Sequence, residues 1–375
     1  MAEASTEGYD TARFHCTVDD NCICSSCVAV LRHDVNEMKE DLAEVKATQH
    51  QMMSEMREAM QRNTLAIKRL GKSSQNVSNV VNYMCNDIVV IGGMGDFEEH
   101  LYSVERYSFS NQTWTPLAEL KVGRIFSQAV LFKNQILVCG GTTSFNPDEC
   151  TDSVEVLDLN VHPPMWQKFA VNLPIKVSGH KCIVYGNRLL IIGGQTEEGD
   201  VADTIYELLL VPPFSSKLLC HMKNRRAGHG AELFDDKVLI AGGVRAETDV
   251  EVFDITKNEC VEMPPLLCPR SFMATVCRDD TMLLIGGKDG EENYTKEIIE
   301  YNFKSGQSKV LLVMNTEAAF CSAEYTGNTL AVISNESDLC SVTGFNFQSN
   351  SWKKLPPTSL PRSFASSVIL NFDSF

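Results

Sequence analysis

The chain has 375 residues, a formal net charge of −16 and an isoelectric point near 5.0. This acidic balance argues against a nucleic-acid backbone or an anionic membrane as the partner. No stretch approaches the roughly 18 consecutive apolar residues of a membrane span, and residues 1–10 lack the basic and apolar regions of a signal peptide. We therefore expect a protein of the cytoplasm or the nucleus, where its 14 cysteines stay mostly reduced.

The first predicted segment, residues 1–27, is rich in cysteine. Its candidate metal ligands stand close together in the sequence: Cys16, Cys22, Cys24 and Cys27. Zinc prefers thiolate and imidazole ligands at such spacings, and the run resembles the trailing half of a PHD-type zinc finger. The leading half of such a finger is not found in the sequence. A disordered remnant without metal is therefore the alternative, and we expect no cofactor.

Residues 28–70 carry a heptad pattern that runs without interruption. The seam positions alternate in steps of three and four: Val28, Leu31, Val35, Met38, Leu42, Val45, Gln49, Met52, Met56, Ala59, Asn63, Ala66 and Leu70. A helix with one narrow apolar seam is stabilised when it pairs with a copy of itself, so the pattern predicts a coiled coil and a homo-oligomer. The alternative is a helix that folds back on the rest of the chain, and both a dimer and a trimer fit the seam. Residues 71–75 follow as a predicted flexible linker.

The remaining residues, 76–375, contain a repeat. Five apolar runs end in a pair of glycines: Gly92-Gly93, Gly140-Gly141, Gly193-Gly194, Gly242-Gly243 and Gly286-Gly287. A sixth apolar run ends instead in Ser334-Asn335. The pairs follow each other at steps of 44 to 53 residues, and a period of about 50 residues with strand-like units is typical of a β-propeller.

Each repeat also carries a second short strand that ends in a large residue, and three repeats add a tryptophan after it. The aromatic marker residues are Tyr107, Trp114, Trp166, Tyr301 and Trp352. Each unit is predicted to be a four-stranded antiparallel blade, because the strand before the glycines is rich in Ile, Val and Leu and suits burial on both faces. The large residues are expected to pack one blade against the next, since a lone blade cannot bury its own faces.

These residues resemble the kelch repeat family, whose mark is an apolar strand, a Gly-Gly pair, and a spaced Tyr and Trp. The resemblance implies an all-β fold, a six-bladed kelch β-propeller of four-stranded antiparallel blades, preceded by the long α-helical coiled-coil segment. Kelch rings commonly close when a C-terminal strand completes the first blade, and residues 362–370 match that strand. Residues 77–83 could fill the same place from the N-terminal side.

The loop face of such a propeller is the predicted binding surface. Turns before the innermost strands carry the residues that the kelch resemblance assigns to partner contact: Arg124, Arg226, Arg270, Ser271, Arg362 and Ser363. In kelch domains that capture peptide motifs, arginine and serine at these turns contact acidic segments, so the resemblance implies an acidic peptide or protein as the partner. The alternative is that each arginine caps its own turn and pairs with Asp or Glu of the same chain.

No catalytic arrangement stands out in the sequence. His180 and His229 occupy equivalent positions of consecutive repeats, which indicates a packing role, and no phosphate-binding loop or activated-serine motif is found. We therefore expect a non-enzymatic scaffold or adaptor that binds a protein partner. One alternative from the resemblance is the substrate-recognition subunit of a cullin-type ubiquitin ligase, although the BTB and BACK domains of that class are missing. A sugar mutarotase or metal-dependent enzyme is the other.

Overall fold

The computed structural model of the chain describes residues 87–97, 99–336 and 339–370. The predicted Cys-rich segment, coiled-coil helix and linker, residues 1–75, lie outside these residues, as does the segment 77–83. Within the described part the secondary structure consists of twenty-six strands and a 3-10 helix at Pro147–Glu149. This part contains no helix that is long and apolar enough to cross a membrane.

Twenty-four of the strands form six antiparallel sheets of four strands each, and every sheet is one blade. Blade 1 holds β1 (Asp87–Ile91), β2 (Val104–Ser108) and β3 (Thr113–Pro116), and blade 2 holds β4 (Gln128–Phe132), β5 (Gln135–Cys139), β6 (Val154–Asp158) and β7 (Trp166–Lys168). Blade 3 holds β9 (Lys181–Tyr185), β10 (Arg188–Ile192), β12 (Thr204–Leu209) and β13 (Ser216–His221). A separate two-stranded sheet is formed by β8 (Val177–Ser178) and β11 (Gln195–Thr196). Blade 4 holds β14 (Gly230–Phe234), β15 (Lys237–Ala241), β16 (Val250–Asp254) and β17 (Glu259–Met263), and blade 5 holds β18 (Ala274–Arg278), β19 (Thr281–Ile285), β20 (Glu297–Asn302) and β21 (Ser308–Val313). Blade 6 holds β22 (Ser322–Thr326), β23 (Thr329–Glu336), β24 (Leu339–Asn346) and β25 (Ser351–Lys354), and β26 (Ser366–Leu370) follows it. The predicted all-β propeller of six four-stranded blades is confirmed.

Blade 1 takes its innermost strand from the C-terminal end of the described chain. β26 pairs antiparallel with β1, from Asp87 opposite Leu370 to Ile91 opposite Ser366. The innermost strand of the first blade thus comes after the last blade in the sequence. Main-chain hydrogen bonds between the first and the last strand therefore close the ring.

Six apolar clusters hold the ring together, one between each pair of neighbouring blades. Alternate residues of a central strand face opposite neighbours. In β1, Ile88 and Val90 belong to the cluster shared with blade 6, whereas Val89 and Ile91 belong to the cluster shared with blade 2. Because both faces of this strand are covered by a blade, an apolar residue is needed at successive positions and not only at every second one.

The Gly-Gly pairs mark places where neighbouring blades approach closely. Gly140 has a φ of +59°, and a Cβ atom on it would lie 2.7 Å from Cε1 of His180 and 2.7 Å from the carbonyl oxygen of Val177, both outside blade 2. A larger residue would strain the backbone and collide with these atoms. His180 is buried, and burial lowers its pKa to about 3, so the imidazole packs as a neutral ring.

Aromatic residues at the marker positions join successive blades. The ring of Trp114 lies 5.1 Å from that of Tyr107, and its indole N–H donates to the carbonyl oxygen of Pro356, after blade 6, at 2.7 Å. Trp166 of blade 2 donates in the same way to Ala118, after blade 1, at 2.8 Å. The remaining markers belong to blades 5 and 6: Tyr301 and Trp352.

Candidate interaction face

The four arginines predicted to face a partner lie inside the blades. Their exposed fractions are 1% for Arg124, 0% for Arg226, 4% for Arg270 and 2% for Arg362. Contact with an acidic partner through these residues needs exposed guanidinium groups. The structure therefore corrects their predicted place on the loop face, and it favours the alternative that they pair within the chain.

Three of these arginines, Arg124, Arg226 and Arg362, connect separate parts of their own blades. In blade 4, Nη1 of Arg226 donates to the carbonyl oxygens of Gly242 at 2.9 Å and Asp249 at 3.0 Å. Nη2 donates to Oε1 of Glu251 at 2.5 Å, and both side chains of this ion pair are 0% exposed. Glu251 also accepts the backbone N–H of Lys223 at 2.7 Å. The ion pair thus holds residues 223–226, the segment that leads into β14, against Glu251 of β16.

The same ion pair recurs in two other blades. Arg124 pairs with Glu155 at 2.7 Å in blade 2. Arg362 pairs with Glu105 at 2.6 Å in blade 1. Blades 3 and 6 have neither partner, since the equivalent positions hold Val177 and Tyr206 in one and Ala318 and Thr343 in the other. In these five blades, 1 to 4 and 6, arginine and glutamate are therefore present or absent together, which indicates that the arginine serves its own blade.

Blade 5 varies this arrangement. It has the arginine, but Ile299 stands where blades 1, 2 and 4 have the buried glutamate. Arg270 instead donates to the carbonyl oxygen of Pro269 at 2.8 Å and to Glu297 at 3.1 Å. The Glu297 side chain is 36% exposed, so this ion pair is closer to water than the others.

The two predicted serines join the turns before the innermost strands to the loops after the glycine pairs. Ser271 is buried, and its backbone pairs with that of Lys288. Ser363 is half-buried, and its backbone pairs with that of Met94. Both residues therefore extend a blade towards the loop face by main-chain bridges, and contact between their hydroxyl groups and a partner stays a prediction.

A closed ring of main-chain hydrogen bonds encircles the propeller axis next to these turns. Every blade contributes one residue, two positions after the arginine position: Phe126, Gly179, Gly228, Phe272, Phe320 and Phe364. The N–H of each donates to the carbonyl oxygen of the one in the preceding blade, at 2.7 to 3.4 Å. All six have a φ between +52° and +60°, a conformation that strains a bulky residue by about 1 kcal/mol or more. Four phenylalanines occur where glycine would be unstrained, so a role for the rings themselves is indicated.

The rings of these phenylalanines meet and form the aromatic mouth of the propeller. The mouth consists of six side chains: Phe126, Phe145, Phe272, Tyr294, Phe320 and Phe364. The centroid of the Phe364 ring lies 4.3 Å from that of Phe320 and 4.5 Å from that of Phe126. Phe145 and Tyr294 extend the cluster from two loops and are 58% and 49% exposed. Aromatic surface is thus open to solvent at one end of the propeller.

The loops around the aromatic mouth form an acidic rim. Their described residues carry thirteen carboxylates: Asp96, Glu99, Asp148, Glu149, Asp152, Glu197, Glu198, Asp200, Asp203, Glu247, Asp289, Glu291 and Glu292. The same described residues include two cationic side chains, Arg245 and Lys288. Nζ of Lys288 lies 5.4 Å from the ring of Phe320 and 2.7 Å from Glu292, so this cation is engaged within the face. An apolar centre is therefore surrounded by negative charge.

Comparison with known proteins agrees with this architecture. The model of the KLHDC2/KLHL20/DRC7 Kelch-repeats domain matches residues 126–310, and that of the Kelch motif matches residues 78–121. The chain belongs to the kelch-repeat family. Spermatocyte protein spe-26 of Caenorhabditis elegans is 33% identical to this kelch protein over 133 residues, which are 32% of this chain and 22% of spe-26. The chain thus matches less than a quarter of the length of that relative.

The kelch propeller encloses a channel that the innermost strands of all six blades line. A cavity of about 450 Å³ occupies it, and its charged lining residues are Lys181, Glu232 and Glu324. Burial raises the pKa of Glu324 to about 7 and raises that of Glu232, whereas it lowers the pKa of Lys181. Glu232 also accepts a hydrogen bond from the Thr275 hydroxyl at 2.8 Å. The channel therefore holds titratable groups that bulk water solvates poorly.

These channel residues do not form a metal site. Within residues 87–370, apart from the undescribed positions, no group of three or more His, Cys, Asp or Glu side chains could hold a metal ion. The candidate zinc ligands Cys16, Cys22, Cys24 and Cys27 lie outside the described residues, so their metal binding stays a prediction. Kelch-repeat propellers are typically non-enzymatic.

The aromatic mouth is the feature that the sequence prediction missed. An Arg-x-Phe triplet occurs in three repeats, at Arg124-Ile125-Phe126, Arg270-Ser271-Phe272 and Arg362-Ser363-Phe364. The arginines of these triplets were predicted to bind, whereas the structure buries them and brings the phenylalanines together. The sequence does carry a signal for this cluster, because phenylalanine recurs at a turn where a polar residue is usual.

Proposed function

We propose that this kelch propeller is a non-enzymatic adaptor that holds a protein partner on its loop face. Kelch propellers bind protein partners. The observation that carries the proposal is the exposed aromatic mouth inside the acidic rim. Aromatic groups clustered at the centre of a patch with a charged border are typical of binding sites for proteins. The strained backbone of four mouth phenylalanines adds support, because such strain is common at functional sites.

The proposed partner segment is basic and carries an apolar or aromatic side chain. Its apolar side chain contacts the aromatic mouth, and neighbouring Lys or Arg residues meet the carboxylates of the rim. An acidic partner depended on the exposure of Arg124, Arg226, Arg270 and Arg362, which are buried. The charge exposed around the mouth has the opposite sign, so it repels an acidic segment and attracts a basic one.

A random peptide library displayed on phage tests this choice. The full chain is expected to enrich peptides that have a net positive charge and an apolar residue beside Lys or Arg. Fluorescence anisotropy on an enriched peptide should show binding weakened about tenfold or more when Phe145→Ala and Tyr294→Ala are combined. Both side chains are exposed, so their loss leaves the fold intact.

The matched control is Val310→Ala, which removes an exposed apolar side chain from the outer strand β21 and should bind like the unmodified chain. Enrichment of acidic peptides would rule out the proposed partner chemistry. Equal weakening by the control and by the mouth variant would rule out the mouth as the site.

The adaptor is further proposed to self-associate through the heptads of residues 28–70, with residues 71–75 as the linker. Two or three loop faces on one particle raise the avidity for a partner that offers several copies of its segment. Light scattering on the full chain should give a mass of two or three copies of 41.7 kDa, and Leu42→Pro should reduce it to one copy. A single-copy mass for the unmodified chain would remove this part of the proposal.

A further inference from the structure

We propose that Cys220 and Cys260 are the site of a reversible disulfide bond that joins blades 3 and 4 at their outer edges. The two cysteines are free, and their Sγ atoms lie 3.6 Å apart. Cys220 belongs to β13 and Cys260 to β17, the outermost strands of neighbouring blades. Both residues are half-buried, so a small oxidant can reach them from solvent.

The surroundings direct both sulfur atoms to the same interface. Cys220 lies opposite Ile205 and Cys260 lies opposite Phe253, and all four residues belong to or pack against the apolar cluster between blades 3 and 4. The sulfur atoms have to approach by about 1.5 Å to reach the S–S distance of about 2.05 Å. Each strand is bonded to only one neighbour within its blade, so a small shift of the outer edge accommodates this movement.

The internal repeat identifies the position of Cys260 as one that joins neighbouring blades. Cys260 lies opposite Phe253 in blade 4, as Trp114 lies opposite Tyr107 in blade 1. Trp114 donates its indole N–H across to the preceding blade. At the equivalent position of blade 4 a thiol faces the preceding blade, and Cys220 is the group that it meets. A covalent bond between blades 3 and 4 can therefore take the place that the indole hydrogen bond has between blades 6 and 1.

The chemistry needs a two-electron oxidant, and we assign hydrogen peroxide to this role. The hydrogen bond with Cys260 lowers the pKa of Cys220, so we assign Cys220 as the attacking thiolate and Cys260 as the thiol. Its sulfur attacks one peroxide oxygen, the O–O bond breaks, and the released hydroxide takes up a proton to become water. The sulfur of Cys260 then attacks the sulfenic acid on Cys220, and the sulfenic hydroxyl leaves with the thiol proton as a second water. Two thiols are oxidised to one disulfide while one peroxide is reduced to two waters.

A second pair of cysteines provides an internal control. Cys139 and Cys182 both belong to the apolar cluster between blades 2 and 3 and are 0% and 8% exposed. Burial raises the pKa of the Cys182 thiol well above its ordinary value. This pair is thus shielded from an aqueous oxidant and short of thiolate, so it should stay reduced while Cys220 and Cys260 react.

Peptide mapping of the full chain carrying Cys268→Ser tests the proposal. The replacement leaves Cys260 as the single cysteine of the tryptic peptide 258–270, while Cys220 lies in peptide 218–223. After hydrogen peroxide and alkylation of the remaining thiols, mass spectrometry should find these two peptides joined and lighter by two hydrogen atoms. Dithiothreitol should separate them again. Oxidation should also raise the melting temperature by about 5 °C, and Cys220→Ser or Cys260→Ser should abolish that rise.

Three results would overturn the proposal. The first is a treated chain in which both thiols remain open to alkylation. The second is a stable sulfenic or sulfinic acid at Cys220 without the joined peptide. The third is an equal yield of a Cys139–Cys182 bond, which would show that oxidation follows unfolding and not the geometry of the outer edges.

Discussion

The contribution of a buried arginine to stability follows from the exposure of its partner. Arg226 and Glu251 are both 0% exposed, so neither charge is solvated when the other is removed. Loss of one member of a buried ion pair commonly costs about 3 to 5 kcal/mol. Arg270 differs because the Glu297 side chain is 36% exposed, and water can solvate that carboxylate.

Arg226→Met is therefore expected to lower the free energy of unfolding by about 3 kcal/mol. Arg270→Met is the matched control and should lower it by about 1 kcal/mol. Urea unfolding followed by tryptophan fluorescence measures both values. Addition of Glu251→Leu to Arg226→Met should recover part of the loss, because it removes the carboxylate left without a partner. Equal losses for the two single variants would contradict a special role for burial.

Glu324 makes the stability of the propeller depend on pH. Burial in the channel raises its pKa from 4.5 to about 7, so the folded chain holds this proton more tightly than the unfolded chain does. The free energy of unfolding contributed by this group is consequently lost as the pH rises from about 4.5 to about 7. Burial in the channel thus disfavours the ionised form of the Glu324 carboxyl group.

Glu324→Gln removes this titration, and relative to the unmodified chain it should gain about 3 kcal/mol between pH 4.5 and pH 8. Denaturant unfolding at both pH values measures the gain. Glu262→Gln, on the exposed face of β17, is the control and should keep the pH dependence of the unmodified chain. A Glu324→Gln variant with the same dependence would contradict this assignment.

At the level of elements, one strand keeps the ring closed. β26 supplies the innermost strand of blade 1, and its residues Val368 and Leu370 are buried in the cluster between blades 1 and 2. Without β26, β1 would present an unpaired edge to the channel. Each blade buries its faces only against its neighbours, so an opened interface weakens the ring as a whole.

Deletion of residues 366–375 is expected to abolish cooperative thermal unfolding, since it removes β26. Deletion of residues 371–375 is the matched control because it leaves the strand in place. Differential scanning calorimetry distinguishes a sharp transition from a broad one. A sharp transition at an unchanged temperature after the longer deletion would show that the ring does not need this strand.

The blades could be predicted from the sequence because each one repeats the same local chemistry. Even the sixth apolar run, where Ser334-Asn335 replaces two glycines, forms the strand β23. The period identifies equivalent residues but does not show which way a side chain turns. Arg226 and Glu251 lie 25 residues apart, and their contact exists only after the blade has formed. The interior place of the arginines therefore could not be predicted from spacing alone.

For the whole molecule, the distribution of charge matters more than its sum. The chain has a net charge of −16, and thirteen carboxylates are gathered in the described loops of the acidic rim. Such a concentration attracts a positive partner over several ångströms and is weakened by salt. Association with a basic segment should accordingly have a strong electrostatic component.

A rise in sodium chloride from about 50 to about 300 mM should weaken the binding of a basic peptide about tenfold. Combined Glu291→Lys and Glu292→Lys should lower the affinity and flatten the salt dependence, because these residues belong to the rim. Glu259→Lys, an equal type of change on the outer strand β17, should do neither. Isothermal titration calorimetry measures these affinities, and binding that is insensitive to salt would contradict the electrostatic component.

The ring of six hydrogen bonds around the mouth has an electrostatic consequence of its own. The bonds run head to tail, with Phe364 donating to Phe320 and Phe126 donating to Phe364. Peptide dipoles that line up along a helix add to a partial charge at each end, whereas dipoles arranged in a closed circle cancel. These six peptide groups thus impose no preferred sign of charge at the mouth. Exchange of a few loop side chains can change which partner the propeller accepts, while the hydrogen-bonded circle beneath them remains as it is.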